Sequence, residues 1–330
     1  MRRERHGHAR TGRQTLSIER LAGGGDGVGH IGGKAVFVPL AAPGDVVEAA
    51  IVEDRSRYCR ARVLRVVVPS PDRVEPPCPL FGDCGGCAWQ HVAYRAQLAA
   101  KRAVVEDALR RIGRLEPPPV PAVIPSPREY GYRHRARLHA VRAGGDVVLG
   151  FFRAGSHSVV PVASCPVLHP SLDAALAALA AAMRACRGTI PAGSEVRADT
   201  GWDGAAVRLS VSEPGGAPLD LPPALQLALR AAGDAAGVAI DAGGPSAAPL
   251  ALPLGPGEDA LVTTGATFTQ VNLEQNRALV AAALEMAEAR PGTKVLDLCC
   301  GLGNLSLPAA AHGARVLGVD LDAEAVRQAR

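Results

Sequence analysis

Apolar and polar positions change rhythm along this chain, and the changes mark out its parts. From about Thr15 to Val68 the period is two. Leu16 and Ile18 alternate with polar residues, AVFVPL follows a glycine-rich stretch, and DVVEAAIV and RARVLRVVV come next. Five short strands joined by glycine turns predict a small β-barrel of the OB-like kind. On its last strand Arg60 and Arg62 share one face, with Ala61 and Val63 on the other. A helical rhythm then predicts a helix from about His91 to Arg114, with Leu98, Val105, Leu109 and Ile112 on one face and Gly113 as its stop. PPPVPAVIPSP reads as a stiff linker.

Period two returns from about Tyr130 to Val162. In YRHRARLHAV the residues Arg133, Arg135 and Arg137 fall on one strand face. Three guanidiniums in a row repel one another unless something anionic lies over them, so they predict phosphate contacts. A solvated edge strand guarded by charge is the alternative. Ala174 to Cys186 is an alanine-rich helix, and residues 188–265 read as strands, one short helix and Gly/Pro loops. The C-terminal stretch is the most regular. A helix over Leu273 to Ala289 precedes a buried strand over Lys294 to Leu298. A turn and helix over Gly301 to Ala311, a second strand over Arg315 to Val319 and a new helix from Asp322 complete it. This β-α-β order opens a doubly wound parallel sheet. The whole is a multidomain α/β chain.

Composition adds little: 330 residues, 48% hydrophobic and 21% charged, suffice for two or three domains with real cores. The opening MRRERHGHARTGRQ has no apolar core of a signal peptide, and residues 1–13 read as a disordered basic tail. The longest Ala/Leu run, Ala174 to Met183, falls far short of the roughly 20 residues of a membrane span. The expectation is a cytoplasmic monomer, off the membrane, with reduced thiols. Charge is uneven. Residues 1–160 hold 25 Lys and Arg against 15 Asp and Glu, and residues 161–330 hold 11 against 17. A basic front half suggests a polyanionic partner, of which RNA is the expectation.

Two motifs carry chemistry. CPLFGDCGGCAWQ places Cys78, Cys84 and Cys87 in one loop, and Cys165 stands downstream in SCPVLHP. Four thiolates brought together by folding make a metal or cluster site, zinc or iron–sulfur, and spacing leaves the choice open. The prolines after Cys78 and Cys165, and the N–H groups of Gly85 and Gly86, lean toward iron–sulfur. Cys59 and Cys186 read as core. The second motif, VLDLCCGLGN, ends a strand and opens a helix, and Asp320 ends the next strand. Gly301 and Gly303 let backbone approach a ligand, and the acid suits ribose hydroxyls. The third glycine of a dinucleotide fingerprint is replaced by Ser306, so the pattern fits S-adenosylmethionine better.

With these motifs in order, and with GYRHRARL, GFFRAGSHSVVPVASCPVL and FTQVN between them, the chain resembles the iron–sulfur RNA (uracil-5-)-methyltransferases that act on 23S rRNA, with tRNA-directed relatives. The resemblance implies a TRAM-type barrel over 14–69, a central α+β iron–sulfur domain over 70–265, and over 266–330 the start of a Rossmann-like class I methyltransferase domain. It implies a 4Fe–4S cluster on Cys78, Cys84, Cys87 and Cys165. It implies cofactor contacts from Gln270, Cys299, Asn304 and Asp320 beside Gly301 and Gly303; relatives usually carry a large aromatic at the position of Cys299. RNA contacts are expected from Arg60, Arg62, Arg133, Arg135 and Arg137. In the family mechanism a cysteine thiolate adds to uracil C6, C5 takes the methyl group, and a base removes the C5 proton. Both catalytic groups are expected beyond Arg330, so the chain reads as a fragment. Cys300, under the cofactor turn, reads as packed. The alternatives are a tRNA-directed enzyme, an RNA-binding protein with a structural cluster and no catalysis, and a zinc-stabilised adaptor.

Overall fold

A computed structural model describes residues 12–116, 119–186, 190–242, 250–253, 260–263, 265 and 267–330. Most of the basic tail, two prolines of the linker and parts of the 188–265 region lie outside the described residues. The chain forms two compact units, Met1–Pro125 and Ser126–Arg330.

The first unit is built on β1 (Arg13–Ser17), β2 (Arg20–Leu21), β3 (Gly27–Ile31), β4 (Lys34–Val38), β5 (Val46–Asp54) and β6 (Tyr58–Val68), in the order β1-β5-β6-β4-β3-β2. The two end strands are consecutive in sequence. Only Ile18 and Glu19 separate them, and the Glu19 N–H donates to the Val28 carbonyl at 2.8 Å. The sheet therefore closes on itself and leaves no long edge unpaired. Closure forces β3 against β1: a Cβ on Gly29 would lie 2.3 Å from the Ser17 carbonyl oxygen, so only glycine fits. GVGHI is too rich in glycine to show an alternating pattern, which is why six strands form where five were expected. Leu16, Ile18, Val36, Val38, Val47, Ala49, Cys59 and Ala61 fill the interior, so Cys59 is core as expected. Arg60 and Arg62 point outward between them.

The buried carboxylate of Asp45 ties the barrel to the segment after it. It accepts the N–H groups of Ala42 at 2.7 Å and Ser70 at 2.8 Å, and the Arg73 guanidinium at 2.6 Å. Beyond the cysteine loop runs α1 (Tyr94–Asp107), continued by a π-helical turn over Ala108–Ile112. It packs through Ala96 and Ala100 onto Leu21, Ala42, Trp89 and Val92. The expected apolar face is not its buried face, since Val105 and Ile112 are exposed. Small residues let the helix sit closer than valine or isoleucine would allow. The left-handed residue that ends it is Arg114, at φ 52°, and not Gly113.

The second unit centres on β7 (Arg135–Ala143), β8 (Asp146–Phe152), β9 (Val159–Pro161), β10 (Glu195–Thr200), β11 (Ala206–Ser212), β12 (Pro218–Leu219) and β13 (Ala239–Asp241). They form a sheet in the order β12-β11-β10-β7-β8-β9, with β13 parallel to β11. α2 (Pro170–Ala185) and α3 (Pro223–Ala235) bury one face with Leu172, Leu176, Leu179, Leu225 and Leu229 against Leu138, Val196, Ala198 and Leu209. Pro170 opens α2, and His169 caps it by accepting the Ser171 N–H at 3.3 Å.

A hairpin of β14 (Leu250–Pro253) and β15 (Ala260–Thr263) follows, then α4 (Leu273–Met286). β16 (Lys294–Leu298) and β17 (Arg315–Val319) pair in parallel, Leu296 beside Leu317 and Leu298 beside Val319. α5 (Ser306–Ala311) connects them, and α6 (Ala323–Ala329) starts at its cap Asp322. Both strands fall where periodicity placed them, but β16 is not the buried strand expected, since no residue of it is buried. Leu296, Leu298, Leu317 and Val319 make an exposed apolar face on this pair. No helix among the described residues is long and apolar enough to cross a membrane.

The Asp45 clasp makes a prediction. Burial pushes its carboxyl up, but the Arg73 guanidinium and the two backbone N–H groups outweigh burial and hold it below its ordinary value. A depressed carboxyl stabilises fully above the unfolded value of 3.8 and loses that contribution as pH falls through the folded value. Asp45→Asn should cost about 3 kcal/mol at neutral pH, and thermal melts should show a smaller loss for the variant than for the wild type on acidification.

Candidate active site

A cleft of about 240 Å³ lies in the second unit at the carboxyl end of β16. Ligands bind at that end in parallel α/β sheets. Its floor is the turn after β16. Cys299, Gly301 and Gly303 all take positive φ, 63°, 53° and 85°, so the chain reverses within five residues and turns backbone toward the cleft. Leu302 packs into a small core with Leu252, Leu261, Leu273 and Ala325, and the four leucines form an apolar part of the cleft lining. Gly303 is required for space as well as for φ, because a Cβ there would meet Leu307 at 2.9 Å.

Asp320 braces this turn. Its Oδ2 accepts the Gly301 N–H at 2.7 Å and its Oδ1 accepts the Asp322 N–H at 2.8 Å. These bonds, the Asp322 one first, hold the carboxyl below its ordinary value and so keep it ionised. A carboxylate has about four acceptor sites, so capacity remains for a hydroxyl pair. Asp297 accepts the Ser306 hydroxyl at 2.6 Å across the same turn.

Asn304 meets Asn276 of α4 in a reciprocal amide pair, with bonds of 2.8 and 2.9 Å. Each amide keeps one N–H and one lone pair for another partner. Asn276 was not among the residues expected from the sequence, since a buried amide on a helix carries no periodic signal of its own. Gln270 lines the cleft beside Phe268 and Thr269, and Phe268 is 75% exposed. Gln270, Cys299, Gly301 and Asn304 are thus brought to one cleft, with Asp320 bonded to its floor.

The strap that carries Gln270 is fixed by an ion cluster. Asp199 on β10 lies between Arg135 on β7 and Arg208 on β11, its direct cross-strand neighbours. Burial pushes the Asp199 carboxyl up, and Arg135, Arg208 and Arg197 pull it back. Arg135 pairs with Asp199 and donates to the carbonyls of Thr267 at 2.6 Å and Gly265 at 3.0 Å. Arg208 donates to Thr263 at 3.1 Å, and the Val271 carbonyl accepts the His134 N–H at 2.8 Å.

These contacts correct the three-arginine phosphate strand. The Arg135 guanidinium is largely buried and committed to the strap. Arg133 lies before β7 and donates to the Arg135 carbonyl at 2.9 Å. Arg137 alone of the three is exposed, and it pairs with Glu195 at 3.3 Å.

Cys78, Cys84 and Cys87 occupy one turn-rich loop of the first unit, all half-buried, and the Gly86 N–H points at the Cys84 sulfur at 3.4 Å. The donor set and the N–H group suit a thiophilic cluster. Among the described residues, no three His, Cys, Asp or Glu side chains are gathered closely enough to hold a metal ion. Cys165 belongs to the second unit, where its N–H donates to Asp173 at 2.8 Å. Cys186 packs at the edge of the sheet–helix core, as expected.

A TRAM-domain model matches residues 4–64. Among solved structures, the Pyrococcus abyssi tRNA (uracil-54, C5)-methyltransferase in complex with S-adenosyl-L-homocysteine superposes with a TM-score of 0.66. It is 23% identical, with 96% of this chain and 75% of that one covered. The fold is therefore that of a TRAM-bearing, methyltransferase-like protein with mixed α/β sheets. The 23S rRNA (uracil(1939)-C(5))-methyltransferase RlmD of Nitrosococcus oceani is 36% identical over 327 residues, which cover 96% of this chain and 72% of the relative. The RlmD of Aromatoleum aromaticum is 37% identical over 325 residues, 94% of this chain and 73% of the relative. The chain belongs to this family of RNA (uracil-C5) methyltransferases.

The two cysteines of the turn should differ in reactivity. Cys299 is exposed, whereas burial first, then Asp297 and Asp320, push the Cys300 thiol up. Thiolate is the reactive form. Iodoacetamide at neutral pH should label Cys299 well before Cys300, as read by peptide mass mapping. Equal rates would show that Cys300 is not held as a packed thiol.

Proposed function

We infer that the chain transfers a methyl group from S-adenosylmethionine to C5 of a uridine in 23S rRNA. The observation that carries this reading is the gathering of Gln270 and the Cys299–Asn304 turn at one cleft, with Asp320 bonded to that turn, in a chain of this family. S-adenosylmethionine supplies the methyl group. The chain's own residues bind and orient it: Asp320 receives the ribose hydroxyls, the glycine turn admits the ligand against backbone, and the paired amides of Asn276 and Asn304 present one donor and one acceptor. Cys299 and Cys300 are assigned no nucleophilic role. Arg60 and Arg62, on the outer face of the barrel, and the exposed Arg137 are assigned to RNA phosphate.

Cys78, Cys84 and Cys87 are proposed as iron ligands, with Cys165 as the fourth by family resemblance. The Gly86 N–H aimed at sulfur suits a metal-bound thiolate, and the family resemblance is what favours iron–sulfur over zinc. Anaerobic purification should give iron and sulfide in the ratio of a 4Fe–4S cluster, and stoichiometric zinc without sulfide would reject it.

Unmodified 23S rRNA incubated with the protein and S-adenosylmethionine should gain 5-methyluridine, read by nucleoside mass spectrometry. Methylation of tRNA in place of rRNA would move the substrate to the tRNA-directed branch. Binding of S-adenosylmethionine without methylation of either RNA would overturn the enzymatic reading for this chain. Asp320→Ala should weaken S-adenosylmethionine about tenfold or more in calorimetry, since it removes a charged acceptor and the brace on Gly301.

A further inference from the structure

On the face of β7 and β8 opposite α2 and α3, His139 stands across from Gly150. A Cβ at Gly150 would lie 2.0 Å from the Val160 carbonyl oxygen of β9, so that position admits only glycine and leaves the β8 side of His139 open, while Glu195 of β10 is its cross-strand neighbour on the other side. The imidazole lies flat against Phe152, with ring centroids 3.9 Å apart and planes 17° apart. His157 meets Phe152 edge-on at 5.4 Å and 81°. His139 and Phe152 are half-exposed and His157 is exposed. Arg137, exposed, is two residues before His139 on the same face, and Arg153, also exposed, opens the turn that carries His157. Glu195 pairs with Arg137 and Arg197. Burial first, then Arg137, holds the His139 imidazole below its ordinary value against the pull of Glu195, so the ring is neutral at neutral pH.

Half-exposed aromatic rings with arginine beside them are costly to leave in water and fit one kind of partner well. An unpaired base offers a flat face to the rings while its phosphates reach the guanidiniums. A duplex keeps its base faces stacked inside and could use only the arginines. We propose that His139, Phe152 and His157 form a stacking platform for an unpaired base of the RNA substrate, with Arg137 and Arg153 beside it. This rests on the reading of the chain as an RNA methyltransferase.

The test is fluorescence anisotropy with the full chain, using a single-stranded RNA oligonucleotide and the same sequence in a duplex. Phe152→Ala and His139→Ala should each weaken single-strand binding about 5- to 100-fold and leave S-adenosylmethionine binding unchanged. Phe152→Tyr and His139→Phe should restore it. The alanine variants should keep the wild-type salt slope, whereas Arg137→Ala should lower that slope by about one. If Phe152→Ala fails to fold, His139→Ala and His157→Ala decide. Wild-type affinity in both alanine variants of an RNA-binding wild type would overturn the platform alone. A wild type that binds no RNA would overturn the functional reading and the platform with it.

Discussion

The constraint on which the candidate cleft depends is the carboxylate of Asp199, held between Arg135 and Arg208 on adjacent strands. A buried carboxylate with one guanidinium neighbour would leave much of its desolvation cost standing. With two it is better offset, although burial still holds the carboxyl above its ordinary value. Other guanidinium N–H groups go to the carbonyls of Thr263, at the end of β15, and of Gly265 and Thr267 beyond it. The strap so fixed leads straight into Phe268, Thr269 and Gln270 at the cleft. Such networks contribute little net stability, but they specify one arrangement over its neighbours, and a cofactor site needs one arrangement.

The same cluster shows where sequence reading stops. Alternation correctly placed Arg135 on one face of a strand. It could not show what covers that face, because the acceptors lie 130 and 132 residues away in the chain. A row of arginines therefore read as a phosphate surface when one of them is a strut. By contrast β16 and β17 were legible to the residue, since each is a short apolar run between turn signals and the intervening helix leaves few ways to connect them. The glycine turn and Asp320 were legible because backbone conformation and chemistry both constrain residue type there. Asn276 was not, because a buried amide on a helix has no periodic signature. The apolar face of α1 misled for a related reason. Periodicity gives the sides of a helix, but the depth of the surface it meets decides which side is used, and Ala96 and Ala100 fit where Val105 could not.

The two units solve the problem of buried charge in parallel. In the first, Asp45 sits at the end of a closed barrel, and its partners come from its own turn and from the segment that leads to the cysteine loop. In the second, Asp199 sits within a sheet and its partners reach the strap. Each carboxylate joins a regular element, whose position hydrophobic burial already fixes, to an irregular one that has few apolar contacts of its own. The chemistry-bearing residues lie on the irregular side in both units, Cys78 to Cys87 in one and Gln270 in the other.

This arrangement also bears on the residue that departs from the family pattern. Where the family resemblance leads one to expect a large aromatic, the chain has Cys299, exposed and at φ 63°. A left-handed conformation disfavours most side chains, and a small one is strained least. The aromatic ring at the mouth of the cleft comes instead from Phe268, on the opposite wall. Phe268 is delivered by the strap, and the strap is held by Arg135 through the carbonyl next to it. The shape of the cleft mouth in this chain is thus set less by the cofactor turn than by an ion cluster on the neighbouring sheet.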